Sequence, residues 1–189
     1  MPYDEIAFEA EAAMEKAVDF LKKEYRGVRT GRASPGLLDN VKIKVAAYGG
    51  APMDLKSLAT VSAPDATLLV VKPFDPSTLK EIERGLQEAE LGINPQSDGK
   101  VIRLPVPPLS GERRKEIASQ VKKMGEAQKI VLRNARREAI QQIDAEKKSG
   151  DLPEDDAKRG HEEMDKLTKK YEKTLDDLMT AKVKEVTEL

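Results

Sequence analysis

Three long stretches in which apolar residues recur at helical spacing constrain the fold of this 189-residue chain more than any other feature. The first runs from Tyr3 to about Val28, the second from Glu112 to about Lys148, and the third begins at Glu154. Each stretch has a single apolar face, and such a helix must bury that face against another element. The pattern therefore predicts a bundle of three helices that cover one another's apolar faces.

The segment between the first two helices has a different period. In VKIKV, residues 41–45, apolar residues alternate with lysines as in a half-buried strand, and TLLVV (67–71) and KVIRLPV (100–106) predict two further strands. Asp75 can cap a helix between the last two strands, with Pro76 in its first turn. We therefore predict that this segment forms a small β/α/β unit. Ser110 can cap the start of the second long helix.

Because the bundle helices flank this unit, the bundle is predicted to be discontinuous in sequence. We assign residues 1–30 and 106–189 to the bundle and residues 31–105 to an inserted β/α/β domain, which gives an elongated two-domain α+β fold. The two connecting segments, near 29–36 and 103–110, are rich in proline and glycine and are predicted hinges. The candidate hinge residues are Gly31, Ser34, Pro35, Pro105, Pro107 and Pro108.

The first connecting segment, RTGRASPGLL at residues 29–38, has a second interpretation. Gly31 and Gly36 with Arg32 and Ser34 between them resemble an anion-binding turn, in which backbone N–H groups approach an oxyanion. No Gly-Lys-Ser or Gly-Lys-Thr follows, so the spacing is not that of a P-loop. The hinge is the favoured interpretation, and contact of this segment with an anion stays open.

Composition excludes several kinds of functional site. The chain has no cysteine and one histidine, His161, which leaves no residues for disulfides, thiolate catalysis or a His- or Cys-based metal centre. We expect His161 to be a partly packed or surface residue. No pattern gathers two carboxylates into a pocket for acid–base chemistry. We therefore predict no catalytic residue, no metal and no cofactor.

The sequence also lacks the features of a membrane or secreted protein. No apolar run has the length needed to cross a bilayer, and the N-terminal residues are acidic without the apolar core of a signal peptide. We expect a cytoplasmic protein with no membrane partner, and a monomer.

Charge is balanced over the whole chain, with 33 Lys and Arg against 34 Asp and Glu, but it is concentrated locally. Residues 112–137 contain nine basic and three acidic residues, whereas residues 151–189 contain twelve acidic and eight basic residues. At the helical period, the apolar face of the second long helix is predicted to carry Ile117, Val121, Met124, Val131 and Ala135. The opposite face is predicted to carry Lys115, Lys122, Lys129 and Arg136, with Arg133 and Arg137 beside them.

A run of charge often marks only a solvated helix face, and this interpretation stays open. Few acidic residues alternate with the basic ones, however, so the face lacks the i,i+4 pairs that satisfy exposed helices. A basic face of this kind suits the phosphate backbone of RNA. Aromatic residues make up only 4% of the chain, which disfavours single-strand stacking and favours structured RNA. A coiled-coil scaffold for proteins is a further alternative.

Five stretches of the sequence resemble the ribosome recycling factor family in order and spacing: RTGRASPGLL, VVKPFDPS, LGINPQSDG, IRLPVPPLSGERRKE and LRNARREAI. The resemblance implies an L-shaped molecule of tRNA-like dimensions without a catalytic centre. It implies a translation factor that binds rRNA of the large ribosomal subunit after termination. With elongation factor G, and GTP hydrolysis by that partner, it would split the post-termination complex. A structured-RNA-binding chaperone or ribosome-associated adaptor is the alternative.

The resemblance also implies which side chains bind RNA. The matching positions in this sequence are Arg113, Lys129, Arg133, Asn134 and Arg137 on the long helix, with Arg29 and Arg32 at the joint. The basic face adds Lys122 and Arg136 as candidates. Two positions depart from the family: Lys129 stands where arginine is usual, and Gly125 where a better helix former is usual. Because glycine is a poor helix former, we expect it to weaken the long helix locally, so that this helix need not be straight.

Overall fold

The computed structural model describes residues 3–46, 49–89 and 91–188, and the chain divides into two compact units. One unit contains the chain up to Tyr25 together with Ala118–Thr187. The other contains Arg26–Ile117. The chain therefore leaves the first unit near the end of one long helix and returns to it inside another.

Helices dominate the first unit, and short strands with two short helices form most of the second. The first long helix is α1, Asp4–Arg26. The middle of the chain then forms β1 (Lys42–Lys44), β2 (Pro52–Asp54), α2 (Leu55–Leu58), β3 (Ala59–Asp65), β4 (Leu68–Pro73), α3 (Leu79–Glu88), β5 (Gln96–Ser97) and β6 (Ile102–Pro105). The other long helices are α4, Gly111–Ser149, and α5, Glu154–Thr187. The α+β class and the three long helices are confirmed, the helices with bounds within two residues of prediction.

The apolar faces of the long helices form the core of the first unit, with one change from the predicted register. Val121 and Ala135 of α4 are buried as predicted, but Val131 is 43% exposed and Leu132 is fully buried. The prediction that Val131 lies in the core is therefore wrong. A row of residues spaced by seven lags a straight helix by about 20° per repeat, so the row that begins at Ile117 has left the buried face by Val131.

Gly125 does not interrupt α4, which runs unbroken from Gly111 to Ser149. A Cβ at this position would lie 3.0 Å from Met179 Sδ and 3.1 Å from Tyr25 Oη. The Tyr25 hydroxyl donates a hydrogen bond of 2.8 Å to the Val121 carbonyl, and burial raises the pKa of Tyr25 to about 12. The glycine therefore gives α1 and α5 room to approach α4.

The second unit contains more strands than the sequence pattern predicted. A four-stranded antiparallel sheet has the order β3-β4-β6-β5, and β1 pairs separately with β2. The predicted alternation in VKIKV is confirmed, because Val41, Ile43 and Val45 are buried and the lysines between them are exposed. The prediction missed β3, which contains Pro64; a strand with proline is tolerated at the edge of a sheet, where β3 lies.

The two predicted capping residues begin the 3₁₀ turn before α3 and the long helix α4. Asp75 accepts a hydrogen bond of 2.8 Å from the Ser77 N–H at the start of the 3₁₀ turn before α3, which lowers the pKa of Asp75. Ser110 Oγ accepts one of 3.3 Å from the Arg113 N–H at the start of α4. These hydrogen bonds satisfy backbone donors that a helix leaves unpaired in its first turn.

Gly85 of α3 is required by a close contact with β1, and this contact yields a test of the packing. A methyl group at position 85 would overlap the Cδ1 atom of Ile43, which is fully buried. Overpacking costs about 1–3 kcal/mol, and the better helix propensity of alanine offsets about 1 kcal/mol of it. We expect Gly85→Ala to lower the free energy of unfolding by up to about 2 kcal/mol, measured in urea from NMR signals of the second unit.

The matched variant is Ile43→Val, which removes the overlapping carbon and by itself costs about 1 kcal/mol. In the Gly85→Ala/Ile43→Val double variant the two losses should not add, with a coupling of at least about 1 kcal/mol in favour of the pair. Additive losses would contradict the assigned contact.

Candidate RNA-binding surface

The exposed side of α4 in the first unit carries a row of side chains that we call the outer row. Its members are Lys123, Ile130, Asn134 and Arg137. At about 100° per residue they lie within about 60° of one another around the helix. Ile130 is 56% exposed, so an aliphatic side chain lies among polar and basic ones. Sequence reasoning missed Lys123 and Ile130, although Lys123, Ile130 and Arg137 follow one another at steps of seven, which could have indicated them.

A second row, which we call the seam row, consists of Lys129, Arg133 and Arg136 and faces α5. Lys129 Nζ lies 2.6 Å from Asp176 Oδ1. Arg133 Nε lies 3.4 Å from Glu172 Oε1, and Arg136 Nε lies 3.3 Å from Asp165 Oδ1. As residue numbers rise on α4 they fall on α5, as expected for antiparallel helices. Each base of the seam row is therefore paired with a carboxylate of α5.

Lys129 is the member of the seam row that is least accessible. Its side chain is 14% exposed, and its ammonium group also lies 3.0 Å from Glu126 Oε1. Hydrogen bonds to Asp176 and then to Glu126 raise the pKa of Lys129. The prediction that Lys129 lies on the open face opposite the core is wrong, because the charge of this lysine is balanced by two carboxylates at the α4–α5 contact.

The arginines of the seam row remain open to solvent. The side chains of Arg133 and Arg136 are 58% and 46% exposed, and each is paired through Nε. In the parts of the chain that the structure describes, their terminal Nη groups have no partner, nor do the exposed side chains of Lys122 and Arg137. A guanidinium held at Nε can still donate two N–H groups to a phosphate. The predicted RNA-binding residues of this unit thus divide into two sets. The exposed ones, which we call the open group, are Lys122, Arg133, Asn134, Arg136 and Arg137, and the other is Lys129, which is mostly buried.

The remaining predicted RNA-binding residues belong to the second unit. Arg29 donates a hydrogen bond from Nη1 to the Gly92 carbonyl at 3.3 Å and from Nη2 to the Pro107 carbonyl at 2.9 Å. It therefore joins the two connecting segments of the chain and the loop after α3. Arg32 is exposed, and Arg113 Nη1 lies 2.6 Å from Glu116 Oε2.

The candidate hinge residues also lie within the second unit, between its limits at Arg26 and Ile117. Gly31 has a φ of 91°, a conformation that proline cannot adopt. Ser34 Oγ accepts a hydrogen bond of 3.3 Å from the Gly36 N–H and caps a 3₁₀ turn that begins at Pro35. Pro105 is the last residue of β6, where it is opposite Leu68. Both segments are thus hydrogen-bonded or paired locally.

Other kinds of site have little support. His161 is 40% exposed, as expected, and its Nε2 lies 3.1 Å from Asp144 Oδ1. Within residues 3–46, 49–89 and 91–188, no group of three acidic or histidine side chains could hold a metal ion. In the same ranges no helix combines the length and the apolar character needed to cross a membrane.

Comparison with known proteins gives a consistent result over the whole chain. The family model for ribosome recycling factor matches residues 21–186. The chain is 46% identical over 180 residues to the ribosome-recycling factor of Caldicellulosiruptor saccharolyticus, covering 95% of this chain and 96% of that protein. It is 44% identical over 181 residues to that of a Synechococcus species, covering 96% and 98%.

Two solved structures are similar in fold as well. A solution structure of ribosome recycling factor superimposes with a TM-score of 0.79 at 38% identity, over 100% of this chain and 99% of that one. A second describes models for the T. thermophilus ribosome recycling factor and the E. coli elongation factor G bound to the E. coli post-termination complex. It matches with a TM-score of 0.67 at 35% identity, over 99% and 100% of the two chains.

Proposed function

The chain belongs to the ribosome recycling factor family, and from this premise we propose that it binds the large ribosomal subunit after termination and, with elongation factor G, splits the post-termination complex. The family is one of non-enzymatic translation factors. The protein therefore acts by binding, and the GTP that drives splitting is hydrolysed by its partner. A ribosomal partner also makes the cytoplasm the expected location.

The observation that carries the proposal is the open basic surface of α4. Arg133 and Arg137 are exposed, and their terminal guanidinium groups have no partner within the described chain. A rigid helix of 39 residues holds both arginines, so RNA binding does not require the helix to form first. Contacts to phosphates fix the orientation of a protein on RNA and supply most of the affinity. This surface supports rRNA as the ligand of the first unit.

We propose that the open group and Lys123 bind RNA in the first unit. Arg133 and Arg137 lie at the centre of this set, with Lys122, Lys123, Asn134 and Arg136 around them. Lys129 contributes to α4–α5 packing in this proposal. In the second unit Arg32 and Arg113 are candidate contacts, and Arg29 holds the connecting segments in place. We further propose that the bundle and the inserted domain move as two bodies, with the joint in the two connecting segments.

A subunit-splitting assay tests the function. Post-termination complexes are mixed with the chain, elongation factor G and GTP, and light scattering records the separation of subunits. We expect splitting only when all three components are present, and none when a non-hydrolysable GTP analogue replaces GTP. Binding to large subunits without acceleration of splitting would favour a ribosome-associated adaptor instead.

A further inference from the structure

The carboxylates of α5 border the proposed RNA-binding surface along one side. Asp165, Glu172 and Asp176 each lie within 2.6–3.4 Å of a base of the seam row. With Glu126 at Lys129, the seam holds four carboxylates for three bases. The carboxylates of these ion pairs therefore outnumber the bases by one, although the sequence of α4 is strongly basic there.

The outer row differs from the seam in its electrostatics. Lys123 and Arg137 have no ion-pair partner in the described chain, and the row itself contains no acid. Positive charge that no carboxylate compensates therefore declines around α4 from the outer row towards α5. A polyanion that approaches from the outer row meets unopposed cations, whereas one that lies over the α4–α5 seam meets a carboxylate beside each base of the seam row.

On the basis of the proposed function, we propose that Asp165, Glu172 and Asp176 are specificity-determining residues that keep the RNA backbone off the α5 side of the seam. RNA then contacts the outer row and, in the seam row, only the unpaired Nη groups of Arg133 and Arg136. A phosphate placed over the seam is a like charge beside each carboxylate, and such juxtapositions disfavour a wrong partner more than they affect the right one. A duplex of arbitrary sequence can adopt many orientations on a basic helix. The acidic border removes most of them, whereas a ligand whose backbone follows the outer row reaches the unpaired Nη groups of Arg133 and Arg136 without lying over the carboxylates.

The test compares two variants with the same change in charge. The seam variant is Asp165→Asn/Glu172→Gln/Asp176→Asn. The control variant is Glu162→Gln/Glu163→Gln/Asp177→Asn, which alters three exposed carboxylates of α5 that have no ion-pair partner among the described residues. Affinity is measured for large ribosomal subunits and for a 20-base-pair RNA duplex of random sequence at several salt concentrations.

We expect the seam variant to bind the duplex about tenfold more tightly than the control variant does. Affinity for large subunits should differ between the two variants by less than about threefold, so that the preference for subunits falls only in the seam variant. Equal duplex affinities would overturn the inference, because net charge alone would then explain both. An equal gain on subunits and duplex would also overturn it.

A second variant keeps the inference testable if the triple seam variant fails to fold. Asp165→Asn/Glu172→Gln leaves the pair between the mostly buried Lys129 and Asp176 intact, and it should retain most of the gain in duplex affinity. Binding of the unsubstituted protein to large subunits tests the proposed function separately from this inference. If that protein fails to bind large subunits, the proposed function is wrong, whereas the difference between seam and control variants on the duplex still decides the inference.

Discussion

Replacing Arg133 and Arg137 together by alanine is expected to weaken binding to large ribosomal subunits by about 100-fold, because two charge-assisted phosphate contacts of about 1.5 kcal/mol each are lost. Both side chains are exposed on α4, and among the described residues only Arg133 of the two has an ion-pair partner, Glu172. The slope of log affinity against log salt should fall by about 2, one for each lost contact. Binding is measured by sedimentation or filter retention at several salt concentrations.

The matched control is Lys158→Ala/Arg159→Ala on α5, where both side chains are exposed. It removes the same charge and should change affinity by less than about threefold if the α4 surface is the RNA-binding site. Helix content should be unchanged in both variants, because exposed charged residues contribute little to stability. A similar loss in the two variants would show that net charge, and not this surface, controls binding.

Leu132→Ala is expected to lower the free energy of unfolding by about 2–5 kcal/mol, the cost of removing a fully buried leucine and leaving a cavity. Leu132 is 0% exposed, and the chain has few aromatic residues that could fill a gap. This loss is a large part of the total stability of a typical domain. Urea unfolding followed by far-ultraviolet circular dichroism measures it, since most of the helix signal comes from α1, α4 and α5.

The adjacent residue provides the comparison, because the sequence pattern alone assigned Val131 to the core. Val131→Ala removes side-chain carbons that are largely in contact with water, so the loss should stay below about 0.5 kcal/mol. The opposite order of the two losses would mean that α4 is rotated by one residue from the register described. The seam pairs and the outer row would then have to be reassigned as well.

Much of the fold could be predicted because local signals agree with the tertiary structure. Ser110 and Asp75 cap the segments that they were expected to cap, and the alternation at residues 41–45 matches one buried face of β1. Such signals act within a few residues, so they can be recognised in a single sequence. β3 was missed because Pro64 and its polar neighbours are acceptable only at a sheet edge, and the sequence does not state which strand is at the edge.

The candidate site was predicted less completely than the fold. Arg133 and Arg137 were identified from the sequence and lie on the exposed side of α4, where Lys123 and Ile130 were missed. Lys129 was placed with them because it is seven residues from Lys122 and Arg136. Its burial depends on Asp176, which is 47 residues away in the sequence and reaches it only when α5 packs against α4.

The sequence by itself determined the long helices, the inserted β-containing unit, the basic character of α4 and the family to which the chain belongs. All of these follow from periodicity, local charge or ordered motifs along one chain. Only the tertiary structure decided that Leu132 rather than Val131 enters the core and that Gly85 and Gly125 are sites of close approach. It also decided which bases of α4 are paired and which are open. The physical reason is that burial and charge compensation depend on neighbouring helices, whose contacts join residues far apart in the sequence.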